Sequence, residues 1–420
     1  MGARNGLVLR PRRGVLPVVA IGRARQAASC VTRSMAKRKV SASSALWLAR
    51  MFRPAITRMA PYTPGEQPLP GERLIKLNTN ENPYPPSPRV RRALRAAIRA
   101  EALRLYPRPR ADAFIEAASR RYGFPTEMIV AGNGSDELLA MLFRATLDRG
   151  NKVAYATPTY SLYDTLAAMQ EARVIAPRYG RDWRLPVDAL ASARARLTIV
   201  CNPNAPSGTL APLAALNELA RLLREAILVV DEAYVDFAQQ NALSILKRHS
   251  NLVVLRSLSK SYSLAGMRLG LGFAAPSIIE TLLKVKDSYN LSRVADAAGA
   301  AALDDYAAMR HNVERVRHTR HRTERRLRRL GFEVPVSEAN FVFARIPGRD
   351  LEPIARGLRQ RGVLVRYFAT PSLRDALRIS IGRPADMAAL FGALRPLMAR
   401  FGPRAAARSD IHDEPSHPAL

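Results

Sequence analysis

The sequence has few of the residues that build covalent cross-links or metal sites. Among its 420 residues are two cysteines and six histidines. The cysteines, Cys30 and Cys201, form neither a disulfide framework nor a Cys-x-x-Cys pair. Five of the histidines lie on one arginine-rich stretch or in a polar tail. We therefore predict that the protein has no metal centre and that its fold depends on an apolar core.

Acidic residues are also scarce. The chain has 35 Asp and Glu against 66 Lys and Arg, a net charge of +31, and only eight of the 66 are lysine. Residues 1–58 contain thirteen of the basic residues and no acidic one, which leaves +18 for residues 59–420. A body this basic attracts phosphates, other anionic substrates or nucleic acid.

The first 58 residues are set apart by this composition. Their one apolar run, residues 14–22, is flanked by arginine and is too short to span a bilayer. The segment is an organellar transit peptide, a secretory signal, or translated sequence upstream of the true start, since Met59 precedes the first organised stretch. We predict no membrane association, and a cytoplasmic protein unless the segment is a transit peptide.

Hydrophobic patterning predicts an α/β fold. The chain is 48% hydrophobic and 24% charged, as globular proteins are, and its length suits two or three domains. Seven short apolar runs alternate with stretches of helical spacing such as 136–147 and 210–224, which indicates a largely parallel sheet. The runs are residues 128–131, 152–156, 173–176, 197–201, 227–230, 252–255 and 269–273.

The patterning also divides the chain into five segments. We predict a basic extension at 1–58, an extended arm and a helix (89–103) at 59–105, a large domain at 106–300, a smaller α+β domain at 301–402, and a disordered tail at 403–420. The smaller domain begins with a long arginine-rich helix, 304–330. Its strand-like runs are 340–345, 363–367 and 376–381.

Two chemically useful side chains follow predicted strands. Asp231 comes directly after residues 227–230, and Lys260 lies shortly after residues 252–255. Ligands of open α/β sheets bind at these carboxyl ends. A buried Asp231 requires a cationic partner, which an ordinary salt bridge would also supply. A desolvated Lys260 has a lowered pKa and can form a Schiff base.

A phosphate site is a further candidate. Residues 132–136 (Gly-Asn-Gly-Ser-Asp) precede a predicted helix, and backbone N–H groups at such a helix start favour an anion. Arg268, Ser257 and Ser259 offer a guanidinium and two hydroxyls to the same phosphate. A glycine-rich helix start also occurs without any ligand, so this motif is weak by itself.

Three motifs taken together indicate a family. They are Leu-Asn-Thr-Asn-Glu-Asn-Pro-Tyr-Pro at 77–85, Asp-Glu-Ala-Tyr at 231–234, and Ser-Leu-Ser-Lys at 257–260 followed by Arg268. With them the sequence resembles, over about residues 70–395, the histidinol-phosphate aminotransferases, which belong to the fold type I pyridoxal-phosphate-dependent aminotransferases. The resemblance implies an α/β fold of that type, with a mostly parallel seven-stranded sheet in the large domain and a smaller α+β C-terminal domain. It also implies a homodimer that transaminates histidinol phosphate, with glutamate and 2-oxoglutarate as the second substrate pair.

The resemblance assigns a cofactor site as well. It implies that Lys260 forms the Schiff base with pyridoxal 5′-phosphate and serves as base and acid, and that Asp231 keeps the pyridinium nitrogen protonated. Tyr160 would stack on the ring, and Tyr234 and Asn204 would hydrogen-bond its O3′. The implied phosphate ligands are Gly134, Ser135, Asp136, Ser257, Ser259, Arg268 and, from the partner subunit, Tyr106.

The implied substrate ligands come from both ends of the chain. Arg378 would bind the α-carboxylate of the amino donor, and Arg366 the substrate phosphate. Tyr84 of the neighbouring subunit would line the pocket, and Asn340 would face it. For Tyr84 and Asn340 the alternative is ordinary packing, and for Arg366 it is a surface position.

The sequence departs from the family pattern in the turn after residues 197–201. The family's Asn-Asn-Pro-Thr-Gly is here interrupted, because the residue before Pro206 is Ala205. The O3′ contact therefore falls to Asn204 or to Asn202, or is lost.

Other functions remain open at this point. A threonine-phosphate decarboxylase and an aromatic amino-acid aminotransferase share nearly all of these motifs. A basic nucleic-acid-binding protein with a relic enzyme fold is the hypothesis from another class, and the nine arginines between Arg310 and Arg329 are a solvated helix face or such a surface. A relic would have no need of the full set of active-site residues, so we predict an enzyme with no specific nucleic-acid partner.

Overall fold

The computed structural model describes Trp47 and residues 50–401. The predicted tail at 403–420 and most of the predicted N-terminal extension lie outside the described residues. The chain divides into two compact units, Met1–Arg58 and Met59–Leu420. In the first, the description includes one short helix, α1 (Pro54–Arg58). All that follows concerns the second unit.

The described part of the second unit contains eleven strands and twelve α-helices. The strands are β1 (Ile75–Leu77), β2 (Ile129–Asn133), β3 (Lys152–Tyr155), β4 (Arg173–Ile175), β5 (Leu197–Cys201), β6 (Ile227–Asp231), β7 (Leu252–Ser257), β8 (Leu269–Phe273), β9 (Phe341–Arg345), β10 (Val363–Tyr367) and β11 (Ala376–Ser380). The helices are α2 (Pro88–Ala97), α3 (Ala100–Leu103), α4 (Asp112–Tyr122), α5 (Ser135–Thr146), α6 (Leu162–Met169), α7 (Val187–Ser192), α8 (Leu213–Leu222), α9 (Pro276–Val285), α10 (Arg293–Leu303), α11 (Tyr306–Arg329), α12 (Glu352–Gln360) and α13 (Pro384–Phe401).

Seven of the strands form one sheet, in the order β2-β8-β7-β6-β5-β3-β4. Strand β8 is antiparallel to both of its neighbours, and the other pairs are parallel. Each of the seven predicted apolar runs is one of these strands. The prediction of a mostly parallel seven-stranded sheet is therefore confirmed.

The central strands are buried on both faces. Val230 and Val254 point into one apolar cluster, and Val229 and Val253 point into the other. Because both faces are covered, these strands are runs of β-branched and aliphatic residues with no polar alternation. This is why apolar runs alone were enough to predict them.

Two predicted elements differ from the structure. The predicted helix at 89–103 is two helices, α2 and α3, because Arg99 between them has an extended backbone (ψ 139°). The predicted extended arm contains strand β1, which pairs in parallel with β10. Since β1 has only three residues, it has no periodicity that would reveal it.

The smaller sheet has the order β1-β10-β11-β9. Strand β11 is antiparallel to β9 and β10, and its Arg378 lies directly opposite Arg366 of β10. The predicted connector helix is a single helix, α11, and the fully buried Arg320 on it donates to the carbonyl of Ala339 at 2.8 Å. This bond ties the connector to the segment that leads into β9.

We expect Gly270 on β8 to be irreplaceable. A Cβ there would lie 2.5 Å from the carbonyl carbon of Gly134 and 2.6 Å from the nitrogen of Ser135. Because these are backbone atoms, Gly270→Ala should displace the start of α5 and lower the free energy of unfolding by about 1–3 kcal/mol, as overpacking does. Urea titration measures this change.

Gly266→Ala is the matched control, since a Cβ at Gly266 meets nothing within 4 Å. We expect its free energy of unfolding to stay within about 0.5 kcal/mol of the parent value. Equal losses in the two variants would contradict the steric explanation.

Candidate active site

A cavity of about 250 Å³ lies at the carboxyl edge of the seven-stranded sheet. Strands β5, β6 and β7 run parallel, so their last residues, Cys201, Asp231 and Ser257, all reach this edge and line the cavity. The predicted site residues that line it are Ser135, Asp136, Tyr160, Asp231, Tyr234, Ser257, Ser259, Lys260, Arg268, Arg366 and Arg378. Both sheets therefore contribute to one site.

Asp231 is a buried carboxyl group without a cation. It is 2% exposed, and it accepts hydrogen bonds from the Tyr163 hydroxyl (2.8 Å) and the Ala233 amide (3.3 Å). Among the described residues no basic side chain lies within ion-pair distance of it. Burial raises the pKa of Asp231 from 3.8 to about 6. A ligand with a protonated nitrogen would supply the missing charge.

Lys260 is a half-buried amine in the cavity wall. Its Nζ donates to the carbonyl of Thr79 at 3.2 Å, and its own carbonyl accepts from Asn82 Nδ2 at 2.9 Å. Burial first, and then the positive charge of Arg378, lower the pKa of Lys260 to about 8. An appreciable fraction of the amine is therefore neutral near pH 7–8 and able to act as a nucleophile or a base.

An anion site lies at the start of α5. Gly134 precedes the helix with φ 79°, and a Cβ there would lie 2.5 Å from Nη2 of Arg268, so only glycine allows this approach. Arg268 forms an ion pair with Asp136 (2.9 Å) and donates to Ser259 Oγ (3.4 Å). Helix N–H groups, a guanidinium and hydroxyls thus face one point, an arrangement that suits a phosphate.

Tyrosines surround the middle of the cavity. Tyr160 donates to Asp136 at 3.2 Å, and its ring lies edge-on to that of Tyr62, with centroids 6.2 Å apart. The ring of Tyr234 packs edge-on against Phe341 at 5.0 Å. Burial raises the pKa of Tyr234 to about 12, so its hydroxyl keeps its proton at neutral pH.

Two arginines close the side formed by the smaller sheet. Like charges directly opposite each other on adjacent strands repel, and Arg366 and Arg378 are such a pair. Arg378 Nη2 donates to the carbonyl of Asn78 at 3.0 Å, while its buried Nε has no hydrogen-bond partner among the described residues. Burial lowers the pKa of Arg378, and the charge of Arg366 lowers it further. The pair is suited to bind anionic groups of a substrate.

The prediction for Asn204 requires correction. Its side chain accepts from Thr159 Oγ1 at 2.8 Å and donates to the Pro158 carbonyl (3.2 Å) and Ser207 Oγ (3.0 Å). Both amide atoms of Asn204 are therefore already engaged with protein groups, and Ala205 lines the cavity wall instead. The alternative, Asn202, is likewise bound to Ala211.

Besides Gly134, whose neighbours Ser135 and Asp136 line the cavity, three further predicted residues do not line it. Tyr84 is 6% exposed, and its ring lies under the guanidinium of Arg315, 3.5 Å from the guanidinium carbon. Its predicted place in the pocket of the neighbouring subunit stays a prediction. Asn340 is fully buried and donates to the carbonyl of Asn80 at 2.9 Å, so it supports that backbone and does not face the pocket. Tyr106 is 78% exposed, and its predicted contact with a partner subunit stays a prediction.

Some site residues were not predicted. Tyr163 bonds Asp231, Tyr62 lies in the cavity wall, and residues 78–80 pass between the two sheets. The motif at 77–85 was noted only as a sign of the family. The sequence does not show that β1, where this motif begins, pairs with β10 and so brings residues 78–80 to the site.

Comparison with known proteins agrees with this geometry. Residues 72–394 match the family model of the class I and II aminotransferases. The chain is 43% identical over 351 residues to histidinol-phosphate aminotransferase 1 of Trichormus variabilis, covering 84% of this chain and 100% of that protein. It is 46% identical over 346 residues to histidinol-phosphate aminotransferase of Geotalea uraniireducens, covering 82% of this chain and 99% of that protein.

A solved structure gives the same result. The crystal structure of histidinol-phosphate aminotransferase from Sinorhizobium meliloti in complex with pyridoxal-5′-phosphate superposes with a TM-score of 0.77 at 27% identity, covering 83% of this chain and 98% of that chain. The chain therefore belongs to the class I and II aminotransferases and, within them, to the histidinol-phosphate aminotransferases. The resemblance inferred from the motifs is confirmed.

The pKa of Asp231 gives a test of the site in the cofactor-free protein. An acid whose pKa is higher in the folded than in the unfolded state destabilises the fold when it ionises. For Asp231 this loss of unfolding free energy is absent at low pH and complete above pH 6. We expect the unfolding free energy of the parent, relative to that of Asp231→Asn, to fall by about 2–3 kcal/mol between pH 4 and pH 8. Denaturant titrations at several pH values measure it, and a difference independent of pH would contradict the assignment.

Proposed function

We propose that this protein is a pyridoxal-phosphate-dependent aminotransferase that transfers the amino group between histidinol phosphate and 2-oxoglutarate, a step of histidine biosynthesis. The observation that carries the proposal is the buried Asp231 carboxyl, which lacks a cation and shares its cavity with Lys260 and the anion site of α5. Identities of 43–46% to histidinol-phosphate aminotransferases, over 80–84% of the chain, support the choice of substrate.

The donor set of the cavity fits this cofactor group by group. The pyridinium N–H is the cation that Asp231 lacks. The phosphate is the anion for which the α5 start, Arg268 and the two serines provide donors, and Gly134 leaves the space that a Cβ would fill. The aldehyde needs an amine that is neutral near pH 8, which Lys260 supplies.

Bound pyridoxal phosphate supplies an aldehyde that takes up the amino group and a ring that accepts the electrons released when the Cα–H bond breaks. Asp231 holds the proton on the ring nitrogen. Lys260 would hold the cofactor aldehyde when no substrate is bound. Its Nζ, when free, would accept the proton from the substrate Cα and deliver it to C4′, the former aldehyde carbon of the cofactor, which keeps the amino group. It therefore acts as base and then as acid, and its pKa of about 8 is near the optimum for both.

The arginines hold the substrate. Arg378, with one nitrogen already fixed on Asn78, would bind the α-carboxylate of glutamate, since histidinol phosphate has no carboxylate. Arg366, held loosely by the carbonyls of Pro64 (3.4 Å) and Thr63 (3.5 Å), is free to turn towards the phosphate of histidinol phosphate. The same pair accepts the two carboxylates of glutamate in the second half of the reaction.

We also propose a homodimer in which Tyr106 reaches the cofactor phosphate of the neighbouring subunit. Its exposure and its stacking on the ring of Tyr289, with centroids 4.6 Å apart, support a role outside its own cavity.

No helix among the described residues is long and apolar enough to cross a membrane. The cytoplasmic location stays a prediction, because the N-terminal segment on which it depends lies outside the described residues.

Lys260→Ala tests the assigned base. We expect turnover to fall below about a thousandth of the parent rate, since positioned acid–base groups contribute about 10²–10⁴-fold and the same residue acts twice. Steady-state assays with histidinol phosphate and 2-oxoglutarate measure it. Lys152→Ala is the control, because Lys152 begins β3 at the opposite edge of the sheet, and it should retain the parent rate. Turnover above a thousandth in Lys260→Ala would mean that another group moves the proton.

A further inference from the structure

The cofactor site has one donor fewer than the family pattern provides. Ala205 stands where the turn usually has asparagine. The amide of Asn202 is bound to Ala211, and that of Asn204 to Thr159, Pro158 and Ser207. Of the candidates for hydrogen bonding to the phenolic oxygen of the cofactor, Tyr234 lines the cavity. Its orientation therefore matters more here than in a site with two donors.

The contacts of Asn80 show which of its two amide atoms faces the Tyr234 hydroxyl. Its backbone N–H donates to Ser380 Oγ at 2.8 Å, and Ser380 Oγ donates to Asn80 Oδ1 at 2.9 Å. Ser380 is 2% exposed, and a buried hydroxyl proton needs an acceptor, which fixes Oδ1 on the Ser380 side. The other amide atom, Nδ2, therefore faces Tyr234 Oη at 3.1 Å and donates to it.

This contact determines the direction of the hydroxyl proton. The ring of Tyr234 is held by Phe341, and its oxygen already accepts a hydrogen bond from Asn80. Among the described residues, no acceptor lies within hydrogen-bond distance of the proton. The proton is thus left to point into the cavity, and a hydroxyl that accepts one hydrogen bond donates a stronger one.

We propose that Asn80 is a positioning residue that orients the Tyr234 hydroxyl as the donor to the phenolic oxygen of pyridoxal phosphate, in place of the asparagine that the turn lacks. The inference rests on the proposed function. It gives a role to Asn80, which lies outside the motifs that hold the cofactor. The loop after β1 brings this residue to the site. The smaller sheet, through Ser380, thereby takes part in setting the electronic state of the cofactor.

The test is a pH titration of the cofactor absorbance in the parent, Asn80→Gly, Tyr234→Phe and the double variant. Glycine keeps the positive φ of 56° at position 80 without strain. Losing a donor leaves more negative charge on the phenolic oxygen beside the imine nitrogen, so the pKa of the absorbance change should rise. We expect a rise of about one unit or more for Tyr234→Phe and a smaller rise for Asn80→Gly. The double variant should match Tyr234→Phe alone, because Asn80 acts through that hydroxyl.

Two further variants separate this role from a general loosening of the loop. Asn340→Ala removes a buried hydrogen bond to the Asn80 carbonyl but leaves the amide on Tyr234, so the absorbance midpoint should not move. In an Ala205→Asn background, where the turn again supplies a donor, Asn80→Gly should shift the midpoint less. Equilibrium dialysis of the cofactor-free protein should give about two- to tenfold weaker binding of pyridoxal phosphate for Asn80→Gly.

Three results would overturn the role of Asn80: an unmoved midpoint in Asn80→Gly, shifts that add in the double variant, or an equal shift in Asn340→Ala. Failure of the proposed function has a different signature. In that case the parent protein itself forms no Lys260-dependent absorbance band with pyridoxal phosphate, and both proposals fall together.

Discussion

The active site depends on one unfavourable arrangement, a carboxyl group buried without a cation. Asp231 reaches its position because β6 is the middle of three parallel strands that end at one edge of the sheet. Burying a charge there is costly unless a positive ligand arrives. The protein is therefore built to be completed by a protonated ring nitrogen. The amine of Lys260 and the anion site at α5 are placed to bind the other two ends of the same molecule.

The segment 78–80 joins this site to the smaller sheet. Its three successive carbonyls accept hydrogen bonds from Arg378 (3.0 Å), Lys260 (3.2 Å) and Asn340 (2.9 Å). One short stretch of backbone thus holds the proposed substrate-binding arginine, the proposed base and a structural asparagine. A shift of the smaller sheet would be felt at Lys260 and, through Asn80, at Tyr234.

The sequence predicted the elements whose signal is local. Buried parallel strands are apolar runs, and the groups at their carboxyl ends, such as Asp231 and Lys260, are then close together whatever the details of the loops. The wrong predictions depend on three-dimensional contacts that no local sequence pattern shows. Strand β1 is too short to show periodicity, and only the structure reveals that the amide of Asn204 is already bound to Thr159 of another loop and to Ser207.

The central claim is that this cavity transaminates histidinol phosphate through pyridoxal phosphate. The most direct measurement is the absorbance spectrum of the purified protein with pyridoxal phosphate, recorded before and after glutamate and, separately, histidinol phosphate. We expect a yellow band that either amino donor bleaches. A band that persists with both donors would contradict transamination and would favour decarboxylation of a phosphorylated amino acid.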